Sequence, residues 1–281
     1  MNVSSNAVKL GFERGWIDFK RFVSSPGDII PILLIAALSL GFLWYQRDYQ
    51  VNGISLALVT LPSIIGMIVA FSGFSTISSL LTSEQEDGTL LRAKTIPQGI
   101  KGYFISRLVF VALTTSIMLI GMLPALFFVD GVSIDFSQGV ELAGVLILGF
   151  IATVTWGAIV GSLVKSAKDA SALMFPTFLI IGISGIFYPI TALWGWVQAV
   201  AQIFPVYWLG LGARSIILPG QAAANEIAKS WRTPEMLAIL AIWAIVGLAV
   251  APKVLSRMTR RATGSKMTVD SEHAKQYQPH Q

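Results

Sequence analysis

Six long stretches of this chain carry no formal charge: Ile29 to Gln46, Tyr49 to Ser83, Leu108 to Val129, Leu142 to Val164, Ala170 to Ala213 and Met236 to Pro252. A bilayer core about 30 Å thick needs roughly 20 apolar residues per crossing helix. Across the 281 residues only 12% are charged and 54% are hydrophobic, against roughly 25% charged in an ordinary soluble domain. That leaves too little polar surface to wrap a globule, which excludes a typical soluble enzyme and a disordered chain. The pattern predicts an all-α integral membrane protein with about six spans, near 29–46, 56–81, 107–129, 141–164, 171–189 and 234–256. The stretch from Ala170 to Ala213 is broken by Pro189, Gly195, Pro205 and Gly210, and its Trp and Tyr clusters suit an interface. It reads as one span followed by an external re-entrant element. Three regions result: a cytoplasmic helix over 1–28, a six-span domain over 29–256, and a basic, polar tail over 257–281, expected to be disordered.

The remaining charges orient the chain. An even number of spans places both termini on one side, and sixteen of the twenty Lys and Arg residues then share that side. Only Arg47, Arg214, Lys229 and Arg232 fall opposite. Cytoplasmic loops hold the Lys/Arg excess, so both termini are expected in the cytoplasm. The net charge of +5 is therefore an orientation signal, and nucleic acid is not expected as a partner. Cysteine is absent, which removes disulfides, thiolate metal sites and cysteine nucleophiles.

A long charged segment precedes the first apolar run, so the start does not read as a cleaved signal peptide. Within it Val8, Phe12, Trp16, Phe19 and Val23 fall in an arc of about 80° at 100° per residue. This predicts an amphipathic helix lying along the cytoplasmic interface and ended by Ser25-Pro26-Gly27.

Ion-driven carriers keep charged side chains inside their spans. Here Glu141 and Glu235 sit at span starts, Asp130 and Asp135 lie between spans, and both histidines, His273 and His280, lie in the tail. No catalytic set can be assembled at membrane depth, and there is no Gly-x-x-x-x-Gly-Lys-Ser/Thr run to bind a nucleotide. The chain reads as a non-enzyme that needs a partner to power transport. Its interior is small and weakly polar, with Ser72, Gly73, Ser75, Thr76, Ser78 and Ser79 in the second span and Gly157 with Gly161 in the fourth. Such residues ordinarily mark close helix–helix contact.

The loop from Ser83 to Pro97 is the most informative cytoplasmic segment. Three acids, Glu84, Glu86 and Asp87, lead into Gly88-Thr89, followed by Leu90, Leu91, Arg92 and Lys94, with Ile96 as a further apolar anchor. A two-turn helix of this kind is unstable alone and needs a docking surface. On the residues alone, a solvated turn remains an equal reading.

Glu84-Gln85-Glu86-Asp87-Gly88-Thr89-Leu90, followed by Pro97, resembles the loop after the second span in ABC-2 type transporter permeases. Ser184-Gly185-Ile186-Phe187-Tyr188-Pro189, Leu193-Trp194-Gly195-Trp196-Val197 and Phe204-Pro205-Val206-Tyr207 are similar to that family's fifth span and external re-entrant segment. At Trp194 and Phe204 the chain departs from the Pro and Asn often found there. With the amphipathic start, six spans and tail, the resemblance covers nearly the whole chain and is to the membrane subunit of a bacterial drug-resistance exporter of the daunorubicin-exporter kind.

The resemblance implies a permease subunit that pairs with a second permease subunit, itself or a paralogue, and with ABC ATP-binding subunits. ATP and Mg would be bound by the partner, and this chain would hold no cofactor or metal. Glu84, Glu86, Gly88, Thr89, Leu90, Leu91 and Arg92 would couple to the ATP-binding subunit, and the helix from Val8 to Val23 would help transmit movement. Tyr188, Pro189, Trp194, Trp196 and Pro205 would belong to the external closing element. Phe71, Phe74, Phe175 and Phe178 are candidates for a substrate path, although their ordinary role is lipid or core contact. The expected activity is export of a small amphipathic or drug-like compound across the bacterial plasma membrane. Alternatives are export of a lipid, polysaccharide or sodium ion, or transmission of force or signals without cargo.

Overall fold

The computed structural model describes residues 3–51, 54–87, 89, 92, 99–164, 167–185, 190–251 and 253–254. The tail over 257–281 lies outside them. Helix α1 (Val3–Ser24) runs to Ser25, and Pro26 opens α2 (Pro26–Gln46). Proline suits that first position because it has no N–H to leave unpaired. A two-residue hairpin, β1 (Gln50–Val51) against β2 (Ile54–Ser55), links α2 to α3 (Leu56–Phe71). A π-helical segment, Ser72–Thr76, joins α3 to α4 (Ile77–Glu86). Next come α5 (Gly99–Ile120), α6 (Phe136–Leu163), α7 (Ala167–Ile183), α8 (Gly195–Ala201), α9 (Pro205–Ile217) and α10 (Thr233–Ala251).

Among the described residues five helices are long and apolar enough to cross a bilayer: α2, the continuous α3–α4, α5 with its 3-10 extension to Phe127, α6 and α10. At about 1.5 Å per residue the 17-residue α7 covers roughly 25 Å, close to a full crossing. Helices α8 and α9 meet at 90°, and at 7 and 13 residues neither crosses alone. The chain is thus an all-α, multi-pass membrane protein with a bent helix pair ahead of the last span. We number the spans 1 to 6 as α2, α3–α4, α5, α6, α7 and α10.

Several boundaries differ from those drawn at the charges. Span 2 stays helical to Glu86 rather than stopping at 81, and span 3 begins at Gly99 rather than 107. A formal charge ends an apolar run without ending a helix; Glu84 is held on the first of these extensions and Tyr103 on the second. Span 4 starts at Phe136 rather than 141, because Asp135 and Gln138 form a reciprocal capping box (2.7 and 3.0 Å). The helix of span 5 ends at Ile183 rather than 189, ahead of Gly185 at φ +73°, a conformation glycine adopts without a steric penalty.

Span 2 is the axis of the subunit. Two-thirds of its apolar window is buried (67%), against 11% for span 1 at the periphery. Glycines let it touch span 4 backbone to backbone. A Cβ on Gly157 would lie 2.4 Å from the carbonyl of Phe74, and one on Gly161 2.7 Å from the Cα of Ser78. The small residues therefore close a helix pair within the subunit, where dispersion contacts supply the attraction. Helix α9 packs against both span 2 and span 4, where Cβ atoms on Gly66 and Gly149 would lie 3.0 Å from Gly210 and 2.3 Å from Leu209, and its Tyr207, Trp208, Leu209 and Leu211 are at most 1% exposed.

Substituting Gly161→Leu is expected to cost about 1–3 kcal/mol by overpacking against Ser78. Gly144→Ala, where an added Cβ meets nothing within 4 Å, should leave stability unchanged or slightly raised. Thermal unfolding of the two purified variants beside the parent checks the contrast.

Candidate functional site

The site begins with how α1 lies on α5. The apolar stripe read from the sequence does not make this contact: Val8, Phe12 and Trp16 are 44%, 57% and 41% exposed. A second stripe of small residues, Ala7, Gly11 and Gly15, is the buried face. A Cβ on Gly11 would lie 2.6 Å from the carbonyl of Gly102, and one on Gly15 2.6 Å from that of Ser106. The helix therefore turns its small face to protein and leaves its large apolar side chains facing outward, as an interfacial helix requires.

This close approach brings Asp18 to Arg107. The guanidinium of Arg107, on α5, lies 3.1 Å from Asp18 Oδ2 through Nη2 and 3.1 Å from Glu84 Oε1 through Nε. Both are charge contacts rather than aligned hydrogen bonds. Tyr103, one turn earlier on α5, donates its hydroxyl to the other oxygen of Glu84, and its ring lies 5.5 Å from the guanidinium carbon. All four groups are shielded: Tyr103 is 3% exposed, and the Arg107, Asp18 and Glu84 side chains are 9%, 20% and 15% exposed. A charge so placed persists only when paired. One guanidinium thus ties together the interfacial helix, the end of span 2 and the start of span 3. Beside it, Gln85 Nε2 donates to the carbonyl of Gly161 at 3.0 Å, and the Thr82 hydroxyl donates to that carbonyl at 3.3 Å. Span 4 is tied in as well.

Among the residues expected to couple to a partner, Glu84 therefore faces inward, toward Arg107 and Tyr103. Glu86 is the last residue of α4, Thr89 is half-buried and Arg92 is exposed. Gly88, Leu90, Leu91 and Pro97 lie outside the described residues. Arg107 and Asp18 were not singled out from the sequence. Their signal is an Asp after the Gly11-x-x-x-Gly15 spacing and an Arg after Gly102, legible only once the two helices are known to touch.

A second buried junction holds the external element. Arg214 of α9 is 3% exposed, and its Nε donates to Glu226 Oε1 at 2.6 Å. Its Nη1 lies 3.4 Å from Ser63 Oγ on span 2 and 3.3 Å from the carbonyl of Gly185 after span 5. Arg232 donates to Gln202 Oε1 at 2.6 Å and lies 4.9 Å from the Trp208 ring, while the Trp208 indole N–H donates to the Gln202 carbonyl at 2.7 Å. The sequence treats Arg214 and Arg232 as charges of an external loop; the structure builds both into the protein, because their partners arrive from distant segments. Pro205 is buried at the first turn of α9. Trp194 and Trp196 stack at 6.3 Å and are 75% and 67% exposed. Tyr188 and Pro189 lie outside the described residues.

The substrate-path candidates divide. Phe71 and Phe178 meet at 5.7 Å between spans 2 and 5. Phe74 lines an internal cavity, and Phe175 is 75% exposed. Among the described residues no three His, Asp or Glu side chains gather into a metal-binding set. What the geometry can do is mechanical. It links the ends of α1, span 2 and span 3 through one charged joint and fixes the bent α8–α9 region to spans 2 and 5 through another.

The family model described as ABC-2 type transporter matches residues 7–218, well over half of the chain. That range takes in α1, the Arg107 junction and α9. No curated protein matches the chain.

Replacing Arg107 by Ala leaves two shielded carboxylates facing each other, a loss of about 3–5 kcal/mol for a broken buried pair. Arg107→Lys keeps the charge but cannot hold both carboxylates in one planar fork, and should fall between parent and Ala. Gly15→Val, with Arg107 intact, should push α1 off α5 and give the same direction of change. Thermal unfolding and protease sensitivity near Ser24–Ser25 provide the readout.

Proposed function

The chain belongs to the ABC-2 type transporter family, and from that premise we propose that it is the membrane half of an ATP-driven exporter for a small amphipathic compound. As a permease subunit of an ABC transporter it works with an ABC ATP-binding subunit. The observation that carries the exporter reading furthest is the Arg107 junction. It holds Glu84, and with the neighbouring Gln85 it joins the end of span 2 to the interfacial helix and to spans 3 and 4.

In this mechanism the ATP-binding subunit holds ATP and Mg and grips the segment from Glu86 to Arg92. Nucleotide binding pulls on that segment. Glu84 carries the displacement to Arg107, and Arg107 carries it to Asp18 on the interfacial helix, so the cytoplasmic ends of α1, span 2 and span 3 move as one body. Ser72–Thr76, the π-helical segment of span 2, is the natural place for such motion to be absorbed, since its wider turn interrupts the regular ladder. The external element, tied by Arg214 to spans 2 and 5, follows. A second permease subunit completes the path, with Phe71 and Phe178 near it. The uneven distribution of Lys and Arg supports cytoplasmic termini in a bacterial plasma membrane. Coupling of this kind is a free energy shared between two sites, so cargo should alter the affinity for ATP by the factor that ATP alters cargo affinity.

The test is reconstitution in proteoliposomes with a candidate ABC ATP-binding protein, using a panel of amphipathic dyes and sodium. ATP-dependent dye movement is expected, with none when the ATP-binding subunit is omitted. Glu84→Ala and Asp18→Ala should reduce both transport and cargo-stimulated ATP hydrolysis by an order of magnitude or so, as expected from about 1.4 kcal/mol of lost coupling. Cargo movement without the ATP-binding subunit, or coupling unchanged in both variants, would sink the proposal.

A further inference from the structure

A cavity of about 250 Å³ lies inside the subunit, away from both charged junctions. Its walls come from span 2 (Ala70, Phe74), span 4 (Trp156), span 5 (Ile181) and span 6 (Trp243), with Phe204 between α8 and α9 also in the lining. The lining residues of span 4 run from Thr153 to Val160, so the space extends roughly 10 Å along the helix axis.

The chemistry of the walls is uniform. The Trp156 indole N–H donates to the carbonyl of Trp243 at 3.1 Å, and the Trp243 N–H donates to that of Ile203 at 2.9 Å. The Thr153 hydroxyl donates to the carbonyl of Gly149 at 2.9 Å, and Thr177 also has a partner. What the cavity presents is ring faces and C–H groups. A water molecule needs two to four polar partners and would meet here only lone pairs of two threonine hydroxyls and no free donor, while an apolar cavity of about 150 Å³ already stays dry and accepts benzene. The space therefore suits hydrocarbon, and more of it than a single ring.

The surroundings identify the source. Next to the lining residues Thr177 and Trp243, the outward side chains Phe178 and Leu179 on span 5 and Ile242 on span 6 are 57–59% exposed. In a bilayer these face acyl chains, present there as the solvent. No polar group in the cavity could fix the head of an amphipathic cargo, so nothing in it selects cargo over the chains that surround it. We propose that the cavity is a lipid site, occupied by one acyl chain of a bilayer phospholipid. Inserted there, the chain contacts Phe74 in the π-helical segment and Phe204 in the external element at once, restoring dispersion contacts that an empty space forfeits. This requires only that the chain lies in a membrane, and stands apart from the exporter reading.

The full chain, reconstituted in phosphatidylcholine carrying a photoactivatable diazirine midway along one acyl chain, is irradiated and its labelled peptides are mapped by mass spectrometry. Phe178 and Leu179 should be labelled by surrounding lipid whatever the cavity holds. The proposal expects label also on Ile181, which is 2% exposed and reached through the cavity. Filling the cavity with Ala70→Phe, or independently with Val160→Phe, should abolish the Ile181 label and leave that on Phe178. Label confined to exposed positions overturns the proposal, as does an Ile181 label that survives in a folded filled variant. Loss of the Ile181 label on adding an amphipathic dye at low mole fraction to lipid would assign the cavity to cargo instead, and would equally overturn it.

Discussion

Arg107 is a full positive charge shielded among apolar helices, and it cannot stay there alone. Moving an ion out of water costs several kcal/mol even after relaxation, and only close opposite charges offset that cost. Its two carboxylates come from different elements, Asp18 on the interfacial helix and Glu84 at the end of span 2. The pairing therefore acts as a constraint on the arrangement of three helices at one end of the subunit. The glycines of α1 make it possible, because Gly11 and Gly15 let the helix approach α5 to backbone contact. With larger residues there, Asp18 would stand too far away and the guanidinium would lose half its compensation.

Arg214 plays the matching part at the other end. It is less exposed than Arg107, and it gathers Glu226, Ser63 and the Gly185 carbonyl around one side chain. Between the two junctions the subunit has an interior held by van der Waals contact, with the span 2–span 4 glycine seam as its closest passage. Charged joints are directional and fixed in length, whereas an apolar seam permits sliding at small cost. A subunit with rigid joints at both faces and an apolar middle is suited to carry a displacement from one face to the other.

Much of the fold was legible in the sequence because the bilayer leaves few solutions. Backbone polar groups have no water to bond in hydrocarbon, so every long apolar run must be helical. The break at Pro205 and the aromatic cluster marked α8 and α9 as a bent pair rather than a span. Less legible was where helices end relative to charges. Glu84 reads as a loop residue and Arg107 as the first residue of span 3, yet the helices that hold them run on to Glu86 and back to Gly99. The buried face of α1 was hidden too, since a large apolar stripe outweighs Ala7, Gly11 and Gly15 in any measure of hydrophobicity.

By itself the sequence determined that this chain lies in a membrane, how many times it crosses in outline, and that its spans hold no nucleotide-binding run to power it. Those properties follow from local composition, and a helix in lipid needs no distant partner to form. The tertiary structure alone decided which face of α1 meets protein, which charges are buried, and which residue each of them pairs with. Asp18 and Arg107 are 89 positions apart in the chain, and no periodicity links positions so far apart. Their meeting depends on how closely two backbones approach, and that is set by a few hydrogen atoms on glycine where a side chain would otherwise stand.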